Sequence, residues 1–472
     1  MLLSLDVDFI SPGAACVKPI RPKADNSDSK RRVLRIEGGN DQLVEQEKVT
    51  AAISLADCLA CSGCITSAEA VLVSQQSISQ FRQEIANPSM QLKVVSVAPS
   101  ARAALAASAK LDALGVLRRI DALFKSLGCH HVFDTSVANN IWLLEMSAEF
   151  IQRFRKAHVT QGQEPTAACL PVLSSSCPGW VCYAEKTQGE SVVDCLSRIK
   201  SPQQIAGTLI KYWYAARLGV SPDGVHHAAI MPCYDKKLEA SREDFIHDQS
   251  GTREVDVVLA ATEVEELARD ECGSLSACPL TELNDVHSLS SGYPVPMLQA
   301  LAGASGGAAE YVFREAAREL HGVTLPPGPL TWERGRNADV AELNLRVNNQ
   351  VVLRFVRAYG FRNIQNVVRR LKSGRCDYHF VELMACPSGC ANGGGLPKPP
   401  PLEGAHRVEQ IESMVREGTF ISPRDHPLLA ELYSAGGFLS GGPGGGESCR
   451  WLRTDFRPLR EDPSGTSLST PW

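Results

Sequence analysis

The run Met384-Ala385-Cys386-Pro387-Ser388-Gly389-Cys390-Ala391-Asn392-Gly393-Gly394-Gly395 constrains the fold more than any other stretch of this 472-residue chain. Two cysteines separated by three residues follow a β-like run, Tyr378 to Met384, and precede three glycines. Glycines without side chains predict close approach of backbone to a bulky ligand, and paired thiolates predict that the ligand is a metal–sulfur cluster. Further thiolates must then come from elsewhere in the chain.

Composition restricts what those thiolates can be. A net charge of −5, with 44% hydrophobic and 21% charged residues, predicts a globular protein with substantial cores and gives no electrostatic footprint for nucleic acid. No apolar run reaches the roughly 20 residues of a membrane span, and the acids Asp6 and Asp8 interrupt the start of the chain where a signal peptide needs an apolar core. A reducing compartment follows as the expectation. There, closely spaced groups among the sixteen cysteines read as metal sites or reactive thiols rather than a disulfide framework.

The chain divides into an N-terminal arm with a cysteine-rich segment (1–90), a two-lobe α/β body (91–395), and a C-terminal helix with a mobile tail of about forty residues. In the body, buried strands alternate with helical periodicity: Leu92 to Val97, His131 to Phe133, Leu170 to Leu173, Val225 to Met231 and Val255 to Leu259. That alternation predicts βαβ units and mainly parallel sheets flanked by helices. Thr262 is the expected N-cap of the helix from Thr262 to Arg269. Asn348-Asn349 joins two runs as a β-hairpin, and Gly303 to Gly307 precedes a helix whose amides could face a cluster or anion.

Cys58, Cys61 and Cys64 form a Cys-x-x-Cys-x-x-Cys cage for three thiolates, leaving a cubane one ligand short; zinc is the rival occupant. A second group is dispersed. Cys177, Cys233, Cys386 and Cys390 each sit just past a predicted strand, where ligands of open α/β sheets gather. Singly, Cys177 and Cys233 also read as buried structural thiols. The histidine pairs His130-His131 and His226-His227 lack a third ligand at metal spacing, and the remaining cysteines carry no assignment.

Ser176-Cys177-Pro178-Gly179-Trp180, Met231-Pro232-Cys233-Tyr234-Asp235-Lys236 and the opening run resemble, in order, the three signature segments of iron-only hydrogenases. Leu59 to Glu69 and Ala358 to Asn366 resemble more closely the hydrogenase-like branch that serves cytosolic iron–sulfur protein assembly, the nuclear prelamin A recognition factor-like family. The resemblance implies a hydrogenase-like fold with two 4Fe-4S clusters: one on Cys16, Cys58, Cys61 and Cys64, the other on Cys177, Cys233, Cys386 and Cys390. It also implies a non-enzymatic role, passing clusters from an upstream cytosolic scaffold through a targeting complex with a WD40 propeller to apo iron–sulfur proteins, in the cytoplasm and also the nucleus. The terminal Trp472 would be the segment read by that complex.

The departures decide against hydrogen turnover. Active hydrogenases carry a cysteine as proton relay where this chain has Ser176, and a hydroxyl is a poorer proton carrier than a thiol. Ser388 replaces a glycine, with the expectation that it crowds the space for an extra two-iron unit. The alternatives are an iron-only hydrogenase or electron-transfer protein, and a structural zinc or iron–sulfur scaffold. Lys236 and Lys237 are either groups beside the cluster, as the resemblance implies, or solvent-facing charges.

Overall fold

The computed structural model describes residues 67–159, 170–247, 251–282, 298–299, 303–398, 404–417 and 419–458. Cys16, Cys58, Cys61, Cys64 and Trp472 lie outside them.

Five short strands come first: β1 (Leu92–Val97), β2 (His131–Asp134), β3 (Val172–Ser174), β4 (Val225–Met231) and β5 (Val257–Ala260). After them come β6 (Leu298–Gln299), β7 (Glu333–Arg334), β8 (Val340–Val347), β9 (Gln350–Tyr359), β10 (Phe380–Met384) and β11 (Thr419–Phe420). One sheet has the order β2-β1-β4-β5, all parallel. The other runs β3-β10-β9-β8-β7, parallel across its first three strands and antiparallel at β8 and β7. β6 and β11 form a separate parallel pair.

Burial follows from this pairing. Every residue of β4 and of β10 is buried, as expected of parallel strands covered on both faces, whereas β8 alternates and so has one open face. The β8–β9 turn places Asn348 and Asn349 at φ 51 and 63, the double left-handed geometry that asparagine tolerates and a tight hairpin needs. Phe150, on the long helix Ser136–Val159, packs edge-on against Phe355 and Phe380 at ring centroid distances of 4.9 and 5.8 Å. Each such pair adds about 1 kcal/mol beyond its buried area.

Two expectations change, and one open choice is decided. The helix Ala261–Cys272 is capped through Ala260, not Thr262: the Glu263 carboxylate three residues on accepts the Ala260 N–H at 2.7 Å, leaving the Thr262 hydroxyl to pair with that of Tyr234. The mobile tail is folded as far as residue 458. Leu428, Leu429, Leu432, Leu439 and Leu452 join the core, and Gly437 and Gly446 sit where a Cβ would come within 2.4 Å of a backbone oxygen. Glycine there serves close packing rather than freedom. Lys236 and Lys237 are buried, not solvent-facing.

Candidate metal centre

Each lobe contributes to one site. Cys177 follows β3 and Cys386 and Cys390 follow β10 in the second sheet, while Cys233 follows β4 in the first, so all four stand at carboxyl ends of strands where the sheets meet.

Local hydrogen bonds fix the second-sheet side. Ser175 donates its hydroxyl to the Leu383 carbonyl at 2.7 Å and accepts the Cys177 N–H at 3.1 Å, tying the end of β3 to β10. The amides of Trp180 and Ala385 donate to the Cys177 sulfur. Between Cys386 and Cys390 the chain turns through Ser388 and Gly389 at φ 60 and 69; Asp339 accepts the Ser388 N–H at 2.7 Å, and Ser305 Oγ accepts the Cys390 N–H at 3.0 Å.

The glycine triplet has a different partner from the expected one. A Cβ on Gly393 would lie 2.4 Å from the Pro232 carbonyl oxygen, and one on Gly395 would lie 3.2 Å from Cys233 Cα. The Gly395 N–H donates to that same carbonyl at 2.9 Å. The glycines therefore let the Cys386–Cys390 loop close onto the backbone that carries Cys233. The amides of the Gly303–Gly307 segment are likewise occupied: Ala304 N–H faces the Glu412 carboxylate, and the first turn of the following helix gives its Ala309 N–H to Glu382 Oε2 at 2.7 Å.

On the Cys233 side the supports are charges. Lys236 donates to Glu239 Oε2 at 2.8 Å and Ser201 Oγ at 3.1 Å. Lys237 donates to Glu263 Oε1 and to the Gln76 carbonyl, both at 2.7 Å. The Gln76 amide returns a hydrogen bond to the Lys237 carbonyl, which anchors the segment following the N-terminal cysteine motif beside Cys233.

Burial pushes all four thiols up, Cys390 to about 12 and Cys233 well above the usual range. After burial, Asp235 raises Cys177 and Cys233 further, and Cys233 and Cys386 are each raised by Cys177 and Cys390, so the four share one electrostatic environment. Lys236 opposes the rise at Cys177 and Cys390. Four thiols that hinder one another's ionisation fit a group that brings positive charge among them. Among the described residues no three His, Cys, Asp or Glu side chains are arranged around a single metal ion, as tetrahedral zinc with its Zn–S distance of about 2.3 Å requires. An all-sulfur donor set of four cysteines fits a polynuclear iron–sulfur core.

Beside the cysteines lies a cavity of about 80 Å³ whose wall includes Ser176, Met231, Pro232, Lys236, Ser305 and Cys390. Ser388 does not line it. Its left-handed backbone turns it toward Asp339 and a separate groove, so it stands apart from the hollow holding Ser176. Sequence reasoning passed over Ser305, Tyr359 and Glu382. The available signal was Glu382 itself, a carboxylate inside the apolar run Phe380-Val381-Glu382-Leu383-Met384. His227 is structural: it is buried with Ser96 Oγ and the Glu254 carbonyl each at 2.8 Å.

The family model for the iron-only hydrogenase large subunit, C-terminal domain, matches residues 91–394. FeFe-hydrogenase HydA1 variants from Chlamydomonas reinhardtii share the fold: one has TM-score 0.68 at 23% identity, an apo form 0.67 at 24%, each covering 80% of this chain and 98% of that one. Among curated relatives, cytosolic iron-sulfur assembly component 3 of Mus musculus is 42% identical over 478 residues, 99% of this chain and 98% of its own length. Protein NAR1 of Arabidopsis thaliana is 40% identical over 98% of this chain and 97% of its own length. With likeness of that extent over the whole length, this chain belongs to the cytosolic iron-sulfur assembly component 3 family, built on the iron-only hydrogenase large-subunit fold.

Proposed function

We propose that this chain is a carrier in cytosolic iron–sulfur protein assembly and not a hydrogenase. The carrying observation is the convergence of Cys177, Cys233, Cys386 and Cys390 on one buried site in a chain alike over its full length to proteins named for that assembly. These four residues would hold a 4Fe-4S cluster, and Cys16, Cys58, Cys61 and Cys64 a second one; bound there, such clusters supply one-electron redox chemistry and a thiolate-exchangeable core.

The protein's own residues define what such a site does. The Gly393–Gly395 stretch packs against the backbone of Pro232 and Cys233, so on this reading a cluster held there would exchange slowly. Lys236 offsets negative charge at Cys177 and Cys390. Ser176 on the cavity wall presents a hydroxyl where the hydrogenase resemblance places a thiol relay, which supports the non-enzymatic reading. On this reading the N-terminal site is the exchanging one. Its partners are an upstream scaffold, apo iron–sulfur proteins and the propeller-containing targeting complex, the last through Trp472. The working compartment is the cytosol; the relatives' names give the nucleus no support.

The test is complementation of cells depleted of their own relative. Wild type restores the activity of cytosolic iron–sulfur enzymes, Cys233→Ala restores little of it, and Ser176→Ala restores as much as wild type. Full rescue by Cys233→Ala contradicts the proposal.

A further inference from the structure

The loop Gly303–Gly307 borders two hollows, the cavity beside the cysteines and a groove of about 550 Å³. The groove falls within the roughly 300–1,000 Å³ typical of small-ligand pockets. Its floor is one face of the second sheet. Arg357 and Tyr359, two residues apart on β9, share that face, and the Tyr359 N–H donates to the Asp339 carbonyl at 3.0 Å, which sets Asp339 alongside.

Arg357 and Asp339 bring opposite charges to this floor without pairing. The Arg357 guanidinium lies over the Trp332 ring, 4.8 Å from its centroid, and 5.9 Å from that of Tyr359. Among the described residues it makes no hydrogen bond or ion pair; its Nε is buried without a partner, so the terminal nitrogens are the ones that reach the groove. Asp339 Oδ1 accepts the Ser388 N–H at 2.7 Å, while Oδ2 accepts nothing among the described residues. The inner carboxylates are already committed: Glu382 to Tyr359 and the Ala309 N–H, Glu310 to the Leu330 N–H and Arg314, Glu412 to the Ala304 N–H. Stacking on Trp332 thus holds a cation, and the Ser388 amide an anion, apart on one surface.

Such an arrangement is prepared for a ligand that carries both charges, because the ordering of the two side chains has been completed before binding. The guanidinium fork matches a carboxylate, and the free oxygen of Asp339 matches an ammonium group. A polyanion is a poorer fit, since five carboxylates line the groove against two arginines. Leu330, Trp332 and Val408 offer apolar wall to the aliphatic part of a ligand. We propose that the groove binds a short zwitterionic peptide, with its carboxylate on Arg357 and its ammonium group on Asp339. The inference goes beyond the carrier reading and needs no bound cluster. Asp339 holds the Ser388 N–H and Ser305 lines both hollows, so the peptide lies against the turn that carries Cys386 and Cys390.

The test is titration of the anaerobically purified full-length protein with glutathione, a tripeptide carrying one ammonium and two carboxylate groups, followed by ligand-observed nuclear magnetic resonance. Saturable binding is expected. S-methylglutathione binds equally well, which separates the groove from thiolate attachment to iron. N-acetylglutathione, without the ammonium charge, and glutathione diethyl ester, without the carboxylates, each bind about tenfold more weakly. Arg357→Gln removes the difference between glutathione and its diester. Asp339→Asn, whose side-chain oxygen still accepts from Ser388, removes the difference between glutathione and N-acetylglutathione. Absence of saturable glutathione binding in wild type overturns the inference, as does binding that both substitutions leave unchanged. Should Arg357→Gln fail to fold, glutathione and N-acetylglutathione compared in wild type and Asp339→Asn decide: discrimination in wild type alone supports the site, and equal discrimination in both overturns it.

Discussion

The two sheets hold their cysteines by different physics. On the first sheet, Cys233 is flanked by buried charge: Asp235, Lys236 with Glu239, and Lys237 with Glu263 and Gln76. On the second, Cys177, Cys386 and Cys390 are held by backbone amides, three side-chain acceptors (Ser175, Ser305 and Asp339) and glycines that admit close backbone packing. A charge network tolerates small movements but not loss of a partner, whereas backbone packing tolerates almost no added volume. The site therefore exists only where a chemically forgiving edge meets a sterically strict one.

The largest break is expected at the contact between them. Gly393→Ala places a methyl group 2.4 Å from the Pro232 oxygen, both partners being backbone, so the Cys386–Cys390 loop must lift away from Cys233. Iron and sulfide should fall to about half of wild type, as two equal cubanes require. Wild-type content in this variant would show that the two edges need not touch.

A charge deletion should do less to the metal and more to the fold. Lys237→Ala leaves Glu263 and the Gln76 carbonyl without their cation, and unfolding free energy should drop by about 3 kcal/mol, read by denaturant titration, with most of the iron retained. Unchanged stability would mean that the first edge is held by apolar packing alone.

Acid should act on both sheets, and first through His227. Its buried ring is held down to about 4 by burial, so the unfolded chain binds the extra proton between about pH 6.5 and 4. Stability is then full above the unfolded value and declines as pH falls toward 4, by about 3 kcal/mol from this residue. His379, just before β10 and also lowered to about 4 by burial and by His158, adds a smaller loss on the second sheet. His227→Gln should flatten the dependence; an unchanged slope would remove His227 as its source.

The smallest effect is expected from Ser176→Cys. This residue stands on the cavity wall without being one of the four converging cysteines, so iron content should remain within error of wild type. A gain of iron would mean that the hollow accepts more than the cysteines hold.

How much of this was legible in the sequence follows from which forces are local. Strand–helix alternation marked β1, β4, the hairpin and the longer helices such as Ala113–Ser126 and Phe361–Lys372 to within a few residues, because periodic burial is written along the chain, but it passed over Pro178–Thr187 and Pro202–Thr208. Cys177, Cys233, Cys386 and Cys390 were legible as strand-end residues, and the structure brings them together. The fate of Lys237 was not, since its partners Gln76 and Glu263 lie 161 and 26 residues away. Nor was the purpose of Gly393 and Gly395, whose contact is a backbone oxygen from another lobe, nor the folded C-terminal stretch, where a glycine-rich composition conceals close packing against Glu145 and Gln152. Glu382 was hidden for the opposite reason: its charge predicts exposure, and the helix N-terminus at Ala309, the Tyr359 hydroxyl and the charge of Arg357 make its burial tolerable.

The most direct measurement is iron, acid-labile sulfide and zinc per chain in anaerobically purified protein, beside the same assay on Cys386→Ala. The account predicts about eight irons and eight sulfides in wild type, about half of each in the variant, and little zinc in either. Zinc in place of iron, or iron undiminished by the loss of Cys386, would contradict it.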